Sequence, residues 1–349
     1  MLGAGAWGTA IAKFLCERGN AVSLWCRDQS HAAEIHEARE NKRRLPISGG
    51  LGIPSTGENP RRRAIIGSTE PFLPESLMIT SNLESVLDDE VLVVLAVPSH
   101  SLRVILKAVF SKCRPWGFIN LSKGFEGGSM LLPDAVFNQE DKTKKNIFSV
   151  LSGPGFAREV AYGLPVALTL ATKNKQFGEA VIKLMHNKKM RIYLSSDVAG
   201  VVVGGAVKNV IAIAAGISDG IGLGNSARAA LITRGLSEMS RYGDVYGGMS
   251  QTFQGLSGLG DLMLTCTSGL SRNYILGRNI GLGHDPVAEI AKVQGTAEGV
   301  NSAKELSDIA LRAGLDMPIT QAVVKIIEGV IPPEDAVFEL LARVPKKED

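Results

Sequence analysis

Leu2–Leu15, LGAGAWGTAIAKFL, sets Gly3, Gly5 and Gly8 at G-x-G-x-x-G spacing and runs directly into a helical pattern at Ala10, Ile11, Phe14 and Leu15. In a Rossmann-like fold the first glycine makes a tight bend, the second lets the backbone approach a pyrophosphate, and the third lets helix and strand pack closely. The phosphates then rest on the helix N-terminus. The following strand, Ala21–Cys26, arrives at the right distance and ends on Arg27 and Asp28. At that strand end an acid selects a ribose 2′-hydroxyl and an arginine accepts a 2′-phosphate, so Arg27 keeps NADP open beside NAD. The alternative for Arg27 is an exposed arginine with no ligand. Because Leu2–Gly8 already reads as a turn, the strand that normally precedes it is expected to be missing: either it is lost from this chain, or the numbered start is not the natural one.

Outward from this turn, continuous apolar runs at Glu90–Pro98, Phe118–Lys123, Phe148–Ser152 and Val166–Ala171 read as buried strands alternating with helices. The pattern predicts a parallel sheet covered on both faces, with ligands beyond the strand carboxyl ends, where Pro98, Lys123 and Gly153 fall. His31–Arg43 reads as a charged amphipathic helix. Pro46–Pro74 reads as a long surface loop, with Arg61, Arg62 and Arg63 solvated on it. From Asp197 the strand signal stops. Helical patterns at Ala227–Arg241, Val287–Val293, Ala303–Ala313, Ile319–Gly329 and Pro333–Ala342 predict an all-α second half. The expected organisation is an α/β NAD(P)-binding domain over 1–197 and an all-α substrate and catalytic domain over 198–349.

The second half is organised around Ala199–Gly235, which is almost wholly apolar or small. A helix greasy on nearly every face is packed on all sides. Its one polar stripe is Gly205, Lys208, Asn209 and Ala212, at i, i+3, i+4 and i+7. A bare buried ammonium costs several kcal/mol, so Lys208 calls for an acidic partner or a use for a depressed pKa. It is the first candidate for acid/base chemistry; a lysine snorkelling out of a core helix is the alternative. The same two polar residues argue against Val198–Ile217 as a membrane span.

The 349 residues suit two domains, and 21% charged residues with a net charge of +3 mark no nucleic-acid or membrane-surface partner. Cys16, Cys26, Cys113 and Cys266 lie far apart with no CxxC pair, which predicts reduced thiols and no metal site. Four stretches are dense in small and functional residues: Asn120–Glu126, Leu151–Glu159, the Lys208 helix, and Gly255–Asn273, GLSGLGDLMLTCTSGLSRN. The last places Asp261, Thr265, Arg272 and Asn273 on glycine-flanked turns. A guanidinium beside an amide suits a phosphate, and Ser271 is placed to cap the next helix; a glycine-rich loop folded on itself is the alternative.

Together these stretches resemble the NAD(P)-dependent glycerol-3-phosphate dehydrogenases, most closely the soluble, bacterial-type branch. The resemblance rests on GAGAWGTAIA at Gly3–Ala12, LSKG at Leu121–Gly124, SGPGFARE at Ser152–Glu159, AVKNVIAIAAGISDG at Ala206–Gly220, GLGDLMLTC at Gly258–Cys266, SRN at Ser271–Asn273 and AEG at Ala297–Gly299. It implies a cytoplasmic homodimer that interconverts dihydroxyacetone phosphate and sn-glycerol 3-phosphate with NADH or NADPH, for glycerophospholipid synthesis. An upstream transit peptide, if the gene encodes one, would place the enzyme in a plastid. By the same resemblance, Lys208 is the proton donor and acceptor, Asp261 orients it, and Lys123 touches cofactor and substrate. Arg272 and Asn273 hold the substrate phosphate, with Gly153, Gly155, Asn209, Thr265 and Ser271 lining the pocket. Gly3, Gly5, Ala6, Trp7, Gly8, Arg27, Ala157, Thr296 and Glu298 face the cofactor, as does Arg272. Gly155 stands where the family has a small hydroxyl residue, and the loop around Pro54–Pro74 is longer than usual. The rivals are a related hydroxy-acid dehydrogenase and a non-catalytic NAD(P)-binding protein.

Overall fold

A computed structural model describes residues 1–46, 72–293 and 298–343. The expected loop over Pro46–Pro74, including Arg61–Arg63, falls largely outside them. The chain divides into two compact units, one of Met1–Ser122 with Pro133–Val198 and one of Lys123–Leu132 with Ala199–Asp349. A single boundary near 197 did not anticipate the excursion of Lys123–Leu132 into the second unit.

The first unit is a sheet with helices. Its strands are β1 (Ser23–Trp25), β2 (Met78–Thr80), β3 (Leu92–Leu95), β4 (Gly117–Asn120), β5 (Phe148–Ser152), β6 (Val166–Thr172) and β7 (Met190–Ser195). Its helices are α1 (Ala6–Glu17), α2 (Gln29–Ala38), α3 (Ser99–Lys112), α4 (Pro133–Glu140), α5 (Ala157–Ala161) and α6 (Lys175–Met185). β1 pairs with β2, and β3 to β7 pair in chain order. All pairs are parallel except β5 with β6, where Val150 faces Ala171, a departure from the all-parallel expectation.

The strand expected to be missing before the glycine turn is represented among the described residues by Met1–Gly3, which fill its place in the sheet. Leu2 bridges Trp25 and Leu95, both in parallel sense. Its N–H donates to the Val94 carbonyl and its carbonyl accepts from Ala96 N–H, both at 2.8 Å, while Met1 and Gly3 pair with Trp25 on the other side. Buried to 2% exposure, Leu2 joins the β1–β2 pair to the rest of the sheet. α1 packs one flank, with Ile11 and Phe14, into a core with Leu168, Leu170 and Val181, and the other, with Ala12 and Cys16, into a core with Leu24, Ile35 and Ile79. α2 is shorter than the charged pattern suggested. Asp28 caps its start by accepting from His31 N–H, and Arg39 ends it in the left-handed region at φ 47°.

Among the described residues the second unit is helical: α7 (Val198–Ile221), α8 (Gly224–Tyr246), α9 (Ser250–Gln254), a π turn at Leu256–Gly260, α10 (Asp261–Thr267), α11 (Arg272–Gly281), α12 (Pro286–Lys292), α13 (Glu298–Ala313), α14 (Pro318–Ile327) and α15 (Pro333–Leu341). α7 is long and apolar enough to cross a membrane, but 94% of its most apolar stretch is buried inside the protein. It is a core helix. Its C-terminal half crosses α11 backbone on backbone: a Cβ on Gly216 would lie 2.1 Å from the Tyr274 carbonyl oxygen, and one on Gly277 would lie 2.0 Å from that of Ile213. Gly220 and Gly281 repeat the contact one turn further along each helix. The buried Glu238 carboxylate on α8 accepts from the first N–H groups of α14, at Ile319 and Thr320, and from the Thr320 hydroxyl.

On an open helix surface glycine to alanine stabilises by about 1 kcal/mol. At Gly277 the added methyl has no room, and overpacking of this kind costs about 1–3 kcal/mol. Gly277→Ala should therefore lower the urea midpoint of unfolding; a raised midpoint would show that the two helices can separate freely.

Candidate active site

In the first unit the glycine turn has the shape its spacing predicts. Gly3 sits at φ 113°, and a Cβ there would lie 2.5 Å from the Ala96 carbonyl oxygen. A Cβ on Gly8 would lie 2.0 Å from the Gly3 carbonyl oxygen, so the first turn of α1 folds against the bend. Gly5 differs, since its Cβ would meet nothing nearer than the Ala96 carbonyl oxygen at 3.9 Å. That open side, at the N-terminus of α1, carries no side-chain cap, and Ala6, Trp7 and Gly8 follow as the first helical residues. Uncapped N–H groups at a helix start, with clear space beside a glycine, fit a pyrophosphate.

Arg27 is exposed just beyond β1. The neighbouring Asp28 carboxylate is taken up locally, accepting from Ser30 Oγ at 2.7 Å and His31 N–H at 2.8 Å. Those two bonds lower its pKa. Gly153 follows β5 at φ 141°. Gly155 does steric work: a Cβ there would lie 2.8 Å from Val166 Cγ2 and 3.3 Å from the Trp7 ring. Trp7 packs against the core that contains Ala157. Trp7, Gly155 and Ala157 are thus brought together beside the start of α1.

In the second unit the charged candidates converge on one carboxylate. Asp261, 1% exposed, accepts from Lys208 Nζ on Oδ1 at 2.6 Å and from Lys123 Nζ on Oδ2 at 2.7 Å. Lys208 Nζ also donates to Thr265 Oγ1 at 3.0 Å, whose hydroxyl donates in turn to the Asp261 carbonyl at 2.6 Å. The π turn before α10 delivers Asp261 to this position, with Gly260 N–H donating to the Gly255 carbonyl five residues back. Such wide turns recur where a helix is reshaped for function.

The electrostatics follow from burial. Desolvation pulls Lys208 down to about 8; Asp261 works against the shift, and Lys123 adds to it. Burial works to raise the Asp261 pKa, but the fields of Lys123 and Lys208 outweigh it and hold the carboxyl below its ordinary range. One anion between two cations leaves a positive surplus, suited to an anionic ligand. Glu298, half-buried in the first turn of α13, is pushed up to about 7 by desolvation, against the fields of Arg272, Lys123 and Lys208.

Arg272 is exposed and Asn273 half-buried at the start of α11, where Ser271 caps the helix by accepting from Tyr274 N–H at 3.2 Å. Asn209, beside Lys208 on α7, is 6% exposed. The sequence reading missed Gly299, which seats Asn273 against α7: a Cβ there would lie 2.5 Å from Asn273 Oδ1 and 3.0 Å from the Asn209 carbonyl oxygen. The AEG motif held that signal, although steric need is not visible in a motif. Thr296 lies outside the described residues. Among the described residues no group of three His, Cys, Asp or Glu side chains is placed to hold a metal, and all four cysteines are buried and free.

Comparison with known proteins accounts for both halves. The family model described as the NAD-dependent glycerol-3-phosphate dehydrogenase N-terminus matches residues 1–51 and 68–178, and the one for the C-terminus matches 197–338. A glycerol-3-phosphate dehydrogenase [NAD(P)+] of Nitrosomonas eutropha is 43% identical over 349 residues, 100% of this chain and 98% of its own. One of Halorhodospira halophila is 42% identical, covering 100% of this chain and 97% of its own. The crystal structure of glycerol-3-phosphate dehydrogenase from Coxiella burnetii superposes with a TM-score of 0.85 at 35% identity, over 98% of both chains. With the glycine turn, the Lys208 helix and the Asp261 turn all inside the matched regions, the chain belongs to the NAD-dependent glycerol-3-phosphate dehydrogenase family.

Proposed function

We propose that this protein reduces dihydroxyacetone phosphate reversibly to sn-glycerol 3-phosphate with NADH or NADPH, and that Lys208 is its proton donor and acceptor. The observation that carries this reading is the Asp261 carboxylate held between Lys208 and Lys123. A ketone that receives hydride at carbon needs a proton at oxygen, and a positioned lysine gives roughly two to four orders of magnitude in rate. The nicotinamide, when bound, supplies the hydride.

The chain's own residues do the rest. Asp261 fixes the Lys208 Nζ through Oδ1 and spans to Lys123, which steadies the carbonyl oxygen and the cofactor. Lys208, lowered to about 8, holds its proton in neutral solution and surrenders it without a large penalty. Thr265 takes one of its hydrogens and narrows its orientation. Arg272 and Asn273 bind the phosphate, assisted by Ser271 and Asn209, while in the first unit Gly153 and Gly155 let the chain pack closely on Leu168, Val166 and Trp7. The turn at Gly3, Gly5, Ala6, Trp7 and Gly8, with Ala157, binds the dinucleotide, and Arg27 meets the adenosine end. We further infer, from the resemblance alone, a cytoplasmic location, a homodimeric state and a role in supplying glycerophospholipid synthesis.

Lys208→Met keeps a chain of similar length in the core. Its kcat for ketone reduction should fall by roughly two to four orders while dinucleotide affinity holds; retention of more than about a tenth of the parental kcat would make Lys208 structural.

The direction of the Lys208 shift sets the pH dependence. The ammonium is present below about 8 and lost above it, so ketone reduction should decline as pH rises through about 8, and alcohol oxidation should increase. Asp261→Asn removes the charge that raises the Lys208 pKa and leaves the Lys123 charge that lowers it. The decline in reduction should then move to lower pH, and a pH–rate profile with an unmoved midpoint would remove Asp261 from this role.

Arg27→Asp should raise the KM for NADPH far more than that for NADH, since a guanidinium that can pair with a 2′-phosphate becomes a carboxylate that repels it. Equal effects on the two nucleotides would sink the assignment of Arg27.

A further inference from the structure

Beside the glycine turn lies a side chain with no exposed surface, Asn41. Its Nδ2 donates to the Ala4 carbonyl at 2.9 Å and to Thr9 Oγ1 at 2.8 Å. Its Oδ1 faces His31 Nε2 at 2.9 Å and accepts from Arg44 N–H at 3.2 Å. With both Nδ2 hydrogens committed, His31 must donate from Nε2, and its Nδ1 is left to accept from the Cys26 thiol at 3.4 Å. The amide therefore uses its full hydrogen-bonding capacity, and a buried network satisfied in this way holds one geometry.

That geometry bears on the turn. Ala4 stands between Gly3 and Gly5, and its carbonyl belongs to the same trans peptide as the Gly5 N–H, so the two point in opposite directions. Holding the carbonyl toward Asn41 aims the Gly5 N–H away from it; a Gly5 Cβ would have a single neighbour, at 3.9 Å. The bond to Thr9 fixes the first turn of α1 to the same anchor, and Thr9 N–H itself donates to the Gly5 carbonyl at 2.9 Å.

We propose that Asn41 is a positioning residue for the dinucleotide: it presets the Gly5 N–H and the start of α1 before the pyrophosphate arrives. The inference rests on the reading of this turn as the dinucleotide site. Donors set in advance spare the complex the cost of ordering them.

The test is the dissociation constant of NADPH and of NADH, read by nicotinamide fluorescence on the full chain. The proteins are the parent, Asn41→Ala, Asn41→Asp, Thr9→Val and, as a control, Thr320→Val, which loses a buried hydroxyl bonded to Glu238. Each is measured where circular dichroism shows it folded. Both dissociation constants should rise about tenfold or more in the Asn41 variants and by a smaller factor in Thr9→Val, because a buried acceptor is left unpaired. Thr320→Val should bind as the parent does, and the pH midpoint of kcat should not move in any variant. An Asn41 variant that binds both nucleotides within about twofold of the parent overturns the proposal, as does equal weakening in Thr320→Val. If neither Asn41 variant folds, Thr9→Val decides: weaker binding supports the role, and parental binding overturns it. A parent that binds neither nucleotide overturns the reading of the turn itself, which separates the two failures.

Discussion

The second unit depends on one carboxylate. Asp261 is the partner that lets Lys208 exist in the middle of α7, because removing one member of a buried ion pair strands the other at a cost of about 3–5 kcal/mol. The same carboxylate accepts from Lys123. This bond accounts physically for the path of the chain, which leaves the first unit at Lys123 and returns at Pro133. Phe125 supports the excursion by packing near the Tyr242 ring, 5.9 Å between centroids, and Gly128 N–H donates to Glu305 Oε1 at 3.0 Å. Packing, path and charge therefore share one anchor, and a change at Asp261 affects all three.

What was legible in the sequence was what local pattern carries. Buried strands such as Phe148–Ser152 and helices such as Pro333–Leu341 emerged close to their observed bounds, because an apolar run or a 3.6-residue period reports burial directly. β2 and β7 escaped for opposite reasons. β2 has three residues, and in β7 the exposed Arg191 and Tyr193 interrupt what would otherwise be an apolar run. The stripe on α7 exposed Lys208 as unusual and the glycine-flanked turn singled out Asp261, but spacing cannot reveal a partner 53 residues away; their pairing entered through the resemblance. Asn41 was hidden inside a segment read as one charged helix. That helix stops at Ala38, and the chain then turns left-handed at Arg39, so Asn41 is carried inward by a turn.

Leu2 holds the strand position between β1 and β3. Leu2 uses its own N–H and carbonyl toward β3, while Met1 and Gly3 use theirs toward β1, the alternation a full parallel strand would have. The glycine turn follows at once, and Leu2 is packed to near-complete burial. The bend at Gly3 is thereby tied to both neighbouring strands, and the dinucleotide turn begins from a fixed point.

The crossing of α7 and α11 acts as a caliper. Lys208 lies two turns before Gly216 on one helix, and Arg272 lies five residues before Gly277 on the other. Where Gly216 and Gly220 meet Gly277 and Gly281 the two helices touch through backbone, so their approach at this point is set by peptide groups. Ordinary drift in core residue size, which lets most helix pairs slide by fractions of an ångström, has no purchase here. A designer wishing to shift one helix against the other would find nothing to adjust at this crossing, and any change of reach would have to come from the side chains that flank it.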